Sequence, residues 1–428
     1  MTRHRAFLES LFATAVAAAH PANCLPPLLP PTPASGRLIV LAAGKAAGAM
    51  TEVAERHYLD ALRFAEDRIS GVAVTRYGYG RPTRRIPVVE AAHPVPDQAG
   101  LEAAEKVLAL ADSAGAGDLV LALVSGGASA NWTAPAAGLT LVEKQAVTRA
   151  LLRSGASIGE INTVRKHLSR IKGGRLAARA YPAHLVAVAI SDVPGDDPAV
   201  IGSGPTVPDA STLADARAIL ARYRLDFPPA VTRTLSDPTA ETPKPGDPIF
   251  AATQFRLAAR PADAFRAAEA AVRAAGYAVV FLSDRLEGEA REVAVEHGRL
   301  ARELQAAGRR AVILSGGELT VTIRGTGRGG PNQEYALALA LALEGTSIAA
   351  LAGDTDGTDG GTGRPDDPGG ALIDGTTVGR ARALGLDPAA FLANNDSTGF
   401  FARLGDLLKP GPTCTNVNDF RALVVDTA

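Results

Sequence analysis

Sulfur and large aromatic side chains are scarce in this chain. Of 428 residues, two are cysteine (Cys24 and Cys414), two are methionine and one is tryptophan. Two cysteines exclude a disulfide framework and a Cys-rich zinc site. No HExxH or CxxC spacing occurs to support a metalloprotease or a redox motif. A charge excess of either sign is also missing: 44 Lys and Arg stand against 45 Asp and Glu, a formal net charge of −1. Nothing electrostatic therefore points to nucleic acid or an anionic membrane as partner. Long hydrophobic runs are lacking as well, since none approaches the ~20 residues of a membrane span. Arg3 and Arg5 ahead of Leu11–Ala19 loosely imitate a signal peptide. However, Glu9 interrupts the approach, and Phe7, Leu8, Leu11, Phe12, Ala15, Val16 and Ala19 follow a helical stripe. An amphipathic surface helix is expected there, and the cytoplasm is the default compartment. Lysine is rare too, at seven of the 44 basic residues, which leaves few candidates for a phosphate-binding ammonium.

What is present is an ordinary globular composition, 46 % hydrophobic and 21 % charged, in a chain long enough for two or three domains. Strand-like and helix-like segments alternate, the signature of α/β architecture. Arg37–Ala43 is an apolar run ending at Gly44-Lys45. Asp118–Val124 ends in Ser125-Gly126-Gly127, and His184–Ile190 ends in Ser191-Asp192. Helices are expected over Asp97–Ala111 and Thr140–Ser154. Residues 227–248 carry six prolines, which reads as a loop or linker. A second series follows: helices at Pro261–Ala275, Glu287–Ala307 and Asn332–Leu343, and strands at Tyr277–Ser283, Arg310–Leu314, Leu319–Arg324 and Thr346–Ala352. The last strand ends in Gly353-Asp354. Residues 121–130 and 312–321 echo one another, as apolar strands ending in Ser-Gly-Gly.

In open parallel sheets ligands bind beyond the carboxyl ends of strands, and there the polar and Gly-rich clusters lie. Gly-rich strand-to-helix turns can aim backbone N–H groups at an anion. Lys45 at such a turn is disfavoured by the helix dipole unless an anion is present, although the GxxxxGK[ST] spacing of a P-loop is absent. Between Asn162 and Arg175 lie Arg165, Lys166, Arg170, Lys172 and Arg175. This is either an exposed basic face or a site for a carboxylate or phosphate. Asp192, Asp196 and Asp197 stand near Ser203-Gly204, and Asp354, Asp356 and Asp359 stand together further on. Hard oxygen ligands of this kind suit Mg²⁺ shared with nucleotide phosphates, and they equally suit plain turn chemistry. Gly325 to Gly330 matches GxGxxG, but the segment before it alternates apolar and polar, unlike a first Rossmann strand.

The stretches AAGKAAGAM (42–50), AAHPVPD (91–97), LVSGGASA (123–130), SGASIGEINTVRKHLSRIKGGRLA (154–177), ISDVPGDDPAVIGSGPTVPD (190–209), LSGGELTV (314–321), GRGGPNQE (327–334), TDGTDG (355–360) and GPTCTNVND (411–419) together resemble the glycerate 2-kinase family of the MOFRL type. Some of its relatives carry the label hydroxypyruvate reductase. The resemblance implies two α/β domains with mainly parallel sheets flanked by helices, and an active site in the cleft between them. The expected division is a Rossmann-like N-terminal domain over 1–235, a Pro-rich linker over 236–248 and a MOFRL-type domain over 249–428. It implies ATP and Mg²⁺ as cofactors, and D-glycerate phosphorylated at its 2-hydroxyl to give 2-phosphoglycerate and ADP. The alternative is an NAD(P)H-dependent hydroxypyruvate reductase using the glycine motif at 325–330. Partners are then a small hydroxy acid and a nucleotide, and a homodimer is left open.

By the resemblance, Lys45 and Asp192 are the catalytic candidates. Ser125, Gly126, Gly127, Ser129, Arg165 and Lys166 would meet the substrate. Gly44, Ser203, Gly204, Gly327, Arg328, Asn332 and Glu334 would meet nucleotide or phosphate. Asp192, Asp354 and Asp356 would hold the metal, with Asp192 as base the other reading. His93 is expected either to orient substrate or to form a turn before Pro94. Two departures from the family pattern stand out. Pro331 occupies a position that is Arg in many members, where Arg328 is a candidate substitute, and the segment 361–370 is longer and more polar than usual.

Overall fold

Unbroken apolar strands need cover on both faces, and the computed structural model, which describes residues 2–224, 227–361 and 364–426, supplies it. Residues 362 and 363 of the long polar segment 361–370 lie outside the described residues. The first sheet contains β1 (Leu38–Ala43), β2 (Ile69–Arg76), β3 (Val88–Ala91), β4 (Leu119–Val124), β5 (His184–Ile190) and β6 (Thr253–Ala259), in the order β3-β2-β1-β4-β5-β6. Every residue of β1 and of β4 is buried. Strand β1 is parallel to β2 and to β4, β2 to β3, and β4 to β5. The chain builds outward from β1 on one side through β2 and β3, then places β4 on the other side. The order therefore reverses between β1 and β4, and that is where open α/β sheets bind ligands.

The second sheet contains β7 (Ala278–Glu289), β8 (Ala311–Thr320), β9 (Ala349–Asp354), β10 (Gly370–Asp374), β11 (Leu407–Leu408) and β12 (Asp419–Val425), in the order β11-β10-β9-β12-β8-β7. It is mixed: β7 and β8 run parallel, while β12 is antiparallel to both β8 and β9 and β10 is antiparallel to β9. The architecture is thus α/β with two helix-flanked sheets, as expected.

The chain divides into two compact units, Cys24–Ala258 and Met1–Asn23 with Ala259–Ala428. This differs from the division 1–235, 236–248 and 249–428 at both ends. The helix Thr2–Ala19 buries Leu8, Leu11, Phe12, Ala15 and Ala19 against the helix Pro261–Ala274. Its Phe12 ring meets Phe420 of β12 edge-on at 6.2 Å. The Pro-rich stretch is no linker: the helix Pro229–Ser236 buries Ala230, Val231 and Leu235 in one cluster with Val147, Leu151, Leu213 and Ile219. Prolines at 229, 238 and 248 each open a helical turn, the position where a missing N–H costs nothing. Strand β8 is continuous through Ser315-Gly316-Gly317 and stops at Thr320, so the expected strand Leu319–Arg324 is only its tail.

In the second unit His297 and Tyr335 are both buried, and His297 Nδ1 lies 2.7 Å from the Tyr335 hydroxyl. Burial, with Arg421 adding to it, pushes the imidazole down from its ordinary 6.5 to about 4. A depressed folded-state value contributes stability that is present above pH 6.5 and is lost as pH falls toward 4. Wild type is expected to lose on the order of 3 kcal/mol across that window through this residue. His297→Gln should show a correspondingly flatter profile in denaturant titrations run at pH 4, 5, 6 and 7.

Candidate active site

The carboxyl ends of β1 and β4 meet through backbone. Lys45 N–H donates to Gly126 O at 2.7 Å, and Ala46 N–H donates to Ser125 Oγ at 3.0 Å. Gly44 holds φ +118°, and a Cβ there would lie 2.3 Å from Ser125 Oγ and 2.4 Å from Ser125 O. Only glycine fits. Gly127 holds φ +86° and caps the short helix Ala128–Asn131. A Cβ on Gly127 would lie 3.2 Å from His93 Nε2 and 3.4 Å from Lys45 Cγ, so the His93 and Lys45 side chains converge over this glycine. The half-buried Lys45 is thus fixed at the reversal point of the sheet. One helical turn on, Ser129 Oγ lies 2.8 Å from Ser203 Oγ. Gly202, Ser203 and Gly204 all have positive φ, at 59°, 64° and 62°. Ser203 O accepts from Gly173 N–H at 3.0 Å and Gly204 O from Gly174 N–H at 2.7 Å. Asp192 sits half-buried beyond β5, beside Ser191, whose Oγ accepts from Val193 N–H at 3.2 Å.

The basic run is not an exposed face. Lys166 is buried and paired with Asp209 at 3.2 Å, so its charge is spent inside the unit. Arg170 pairs with Glu105, and Arg175 donates to Ala240 O at 2.5 Å. Lys172 is fully buried and donates to Ser129 O at 2.8 Å and Ser129 Oγ at 2.9 Å. Burial lowers its pKa well below the usual lysine value, and Lys144 and Arg165 add to the effect. Arg165 is half-buried and shares a pocket with Lys144, Lys172 and Ser129. Lys172 stands out in the sequence only as a member of the basic run, and Lys144 does not stand out at all. The available signal was Lys144 on the same helical stripe as the buried Val147 and Leu151.

In the second unit the acidic and glycine motifs are used internally. Asp359 accepts from Asn332 N–H at 2.9 Å and Gln333 N–H at 2.8 Å, so a protein carboxylate occupies the start of the helix Pro331–Ala342. Burial pushes Asp359 up to about 6. Asn332 also donates to Asp419 at 2.6 Å. Glu334 is buried and bonded to Arg291 at 2.5 Å and Asn395 at 2.9 Å. Pro331 is at the first position of this helix, which explains its tolerance there. Asp356 is buried and accepts from Thr358 N–H at 2.7 Å, while the half-buried Asp354 at the end of β9 accepts from Asp356 N–H at 2.9 Å.

The GxGxxG match has a packing explanation. The N–H groups of 324 to 328 are all bonded within the chain: Arg324 and Gly325 to Asn395 Oδ1, Thr326 to Asn394 Oδ1, Gly327 to Asn394 O and Arg328 to Asp396 Oδ1. A Cβ on Gly327 would lie 2.3 Å from Asp396 Cβ. These amides face protein, whereas a dinucleotide fingerprint turns them to a pyrophosphate. The Arg328 side chain is exposed. Among the described residues no group of three or more His, Cys, Asp or Glu side chains is placed to hold a metal ion. Mg²⁺ in kinases commonly takes one or two carboxylates and completes its shell with phosphate and water; Asp192 is a half-buried carboxylate in the first unit, and Asp354 is one in the second. No described helix is long and apolar enough to cross a membrane.

A doubly wound first sheet with lysine and a Ser-Gly-Gly turn at its reversal point, joined to a mixed α/β second unit, defines a class of two-domain α/β enzymes. A family model described as a domain of unknown function (DUF4147) matches residues 7–236, and the MOFRL family model matches residues 311–419. The D-glycerate 2-kinase of Thermotoga maritima is 40 % identical over 90 % of this chain and 89 % of its own. A protein of Agrobacterium vitis provisionally named hydroxypyruvate reductase is 47 % identical over 98 % of this chain and 94 % of its own. The crystal structure of glycerate kinase from Thermotoga maritima superposes with a TM-score of 0.85 at 36 % identity, covering 99 % of this chain and 100 % of that one. The chain belongs to the MOFRL-type glycerate 2-kinase family.

Gly44→Ala tests the junction of β1 and β4. It should cost about 1–3 kcal/mol of stability from strained backbone alone and more from the clash with Ser125, read as a lowered denaturation midpoint. Turnover should fall in the protein that remains folded.

Proposed function

We propose that this chain is a D-glycerate 2-kinase, transferring the γ-phosphoryl group of ATP to the 2-hydroxyl of D-glycerate, with Mg²⁺, to give 2-phosphoglycerate and ADP. The observation that carries this reading is the convergence of Lys45, His93 and Gly127 at the reversal point of the first sheet. The family of kinases to which the chain belongs supports it. Phosphoryl transfer asks for positioning and charge neutralisation more than for covalent chemistry. Lys45 would stabilise the charge that develops on the transferring group. The turn Ser125-Gly126-Gly127, with Ser129, would cradle substrate oxygens, and Arg165 would hold the acid. His93 would orient the acceptor hydroxyl. Asp192 would accept its proton or take a place in the metal's shell. When bound, Mg²⁺ supplies charge neutralisation at phosphate oxygens. Arg328, exposed in its loop, is the remaining candidate for a phosphate contact from the motif around Pro331. Lys166, Asn332 and Glu334 have partners within their own units and are better read as supports.

Incubation of the protein with D-glycerate, ATP and Mg²⁺, coupled to enolase without phosphoglycerate mutase, should give a signal, because only 2-phosphoglycerate feeds enolase directly. Silence there, together with NADH oxidation on addition of hydroxypyruvate, would replace the kinase by the reductase suggested by the name of the Agrobacterium relative. Lys45→Met should lower turnover by two or more orders of magnitude while circular dichroism and the thermal midpoint stay near wild type.

A further inference from the structure

A pocket of about 250 Å³ opens in the first unit beside Ser129 and is lined by Lys144, Arg165 and Lys172, with none of its lining residues acidic. Roughly 10–15 Å³ of such volume holds one water, so there is room for a small organic molecule. The Lys144 ammonium nitrogen is buried and has no hydrogen-bond partner. No carboxylate pairs with Lys144, Arg165 or Lys172 among the described residues. Buried cations normally come with a counter-charge, because taking an unpaired ammonium out of water costs far more than one hydrogen bond returns. Four cationic side chains around one cavity, Lys144, Arg149, Arg165 and Lys172, one of them buried and unpartnered, leave an electrostatic deficit that an anion from outside would fill. The lining also includes the apolar Val95, Leu141, Leu152 and Ile161. The pocket reaches Ser129, two residues from Gly127, where Lys45 and His93 converge.

We infer that this pocket receives the carboxylate of the acceptor hydroxy acid, and that Lys144 is a specificity-determining residue for that carboxylate. The inference rests on the kinase reading for the identity of the acid. The Arg165 and Lys172 charges share the anion, Ser129 fixes its distance from the catalytic turn, and the apolar lining meets the carbon chain. Burial first, then Arg165 and Arg170, bring Lys144 down to about 7. A bound carboxylate favours the charged form, so acid binding above pH 7 should take up a proton.

The test uses Lys144→Met, with Lys144→Gln as a second variant that keeps the length and loses the charge. Calorimetry with D-glycerate and no nucleotide should show a Kd weakened about 10- to 100-fold, the range of one charge-assisted hydrogen bond. KM for D-glycerate should rise in step, while KM for ATP stays within about two-fold. The thermal midpoint of the unliganded variant should rise, because an uncompensated buried charge has gone; a merely structural lysine would move it the other way. An unchanged Kd for D-glycerate in both variants overturns the inference. Lys144-dependent binding of D-glycerate by a wild-type protein that does not phosphorylate it would uphold the pocket and overturn the kinase. Wild-type phosphorylation with variants that bind and turn over normally would do the reverse.

Discussion

The close pass between the ends of β1 and β4 is the constraint on which the candidate site depends. With the Gly44 backbone against Ser125, the hydrogen bonds Lys45 N–H to Gly126 O and Ala46 N–H to Ser125 Oγ can form together. Two parallel strands in direct register deliver these turns to the same level. A side chain at Gly44 would force them apart and carry Lys45 away from Gly127. The backbone at Lys45, the proposed catalytic lysine, is held by these main-chain contacts.

The cavity beside Ser129 departs from the way charge is matched elsewhere in both units. In the second, acidic residues are matched from within: Asp359 by helix amides, Asp419 by Asn332 and the buried Arg421, Glu334 by Arg291. In the first, the cavity beside Ser129 gathers cations with no acid among its walls. A matched network contributes to rigidity, whereas an unmatched one costs stability and stores affinity for an anion. The site residues proposed from the first unit are thus of a different kind from those suggested by the Asn332-to-Glu334 motif.

Much of the architecture was legible in the chain. Apolar runs such as β1 and β4 declare buried parallel strands, and the turns at Lys45 and Ser125 follow because strand ends are where glycine and polar residues collect. His184–Ile190 has the same limits in sequence and structure. The Pro-rich segment misled because proline starts helices as readily as it ends them. The second Ser-Gly-Gly misled because a strand can run on through glycine when it is paired by its neighbours, as Gly316 is by β12 and Gly317 by both β12 and β7. The pocket was hidden for a simpler reason. A lysine in an amphipathic helix is read as solvated, and only the packing of Lys144 beside Val147 and Leu151 reveals that it is not.

The placement of the first helix has a consequence for synthesis. Residues 24–258 form a unit contained within the span of the other. At about 5–20 residues per second this inserted unit can close its own sheet while the ribosome is still working. The helix Thr2–Ala19 emerges before it, yet the strand that presents Phe420 to Phe12 comes some 400 residues later (about 20–80 s at that pace). Until the helix Pro261–Ala274 emerges, some 240 residues after it, that apolar face has no cover, and until β12 emerges the cover is incomplete, making the first helix the natural point for chaperone capture or for aggregation of the nascent chain.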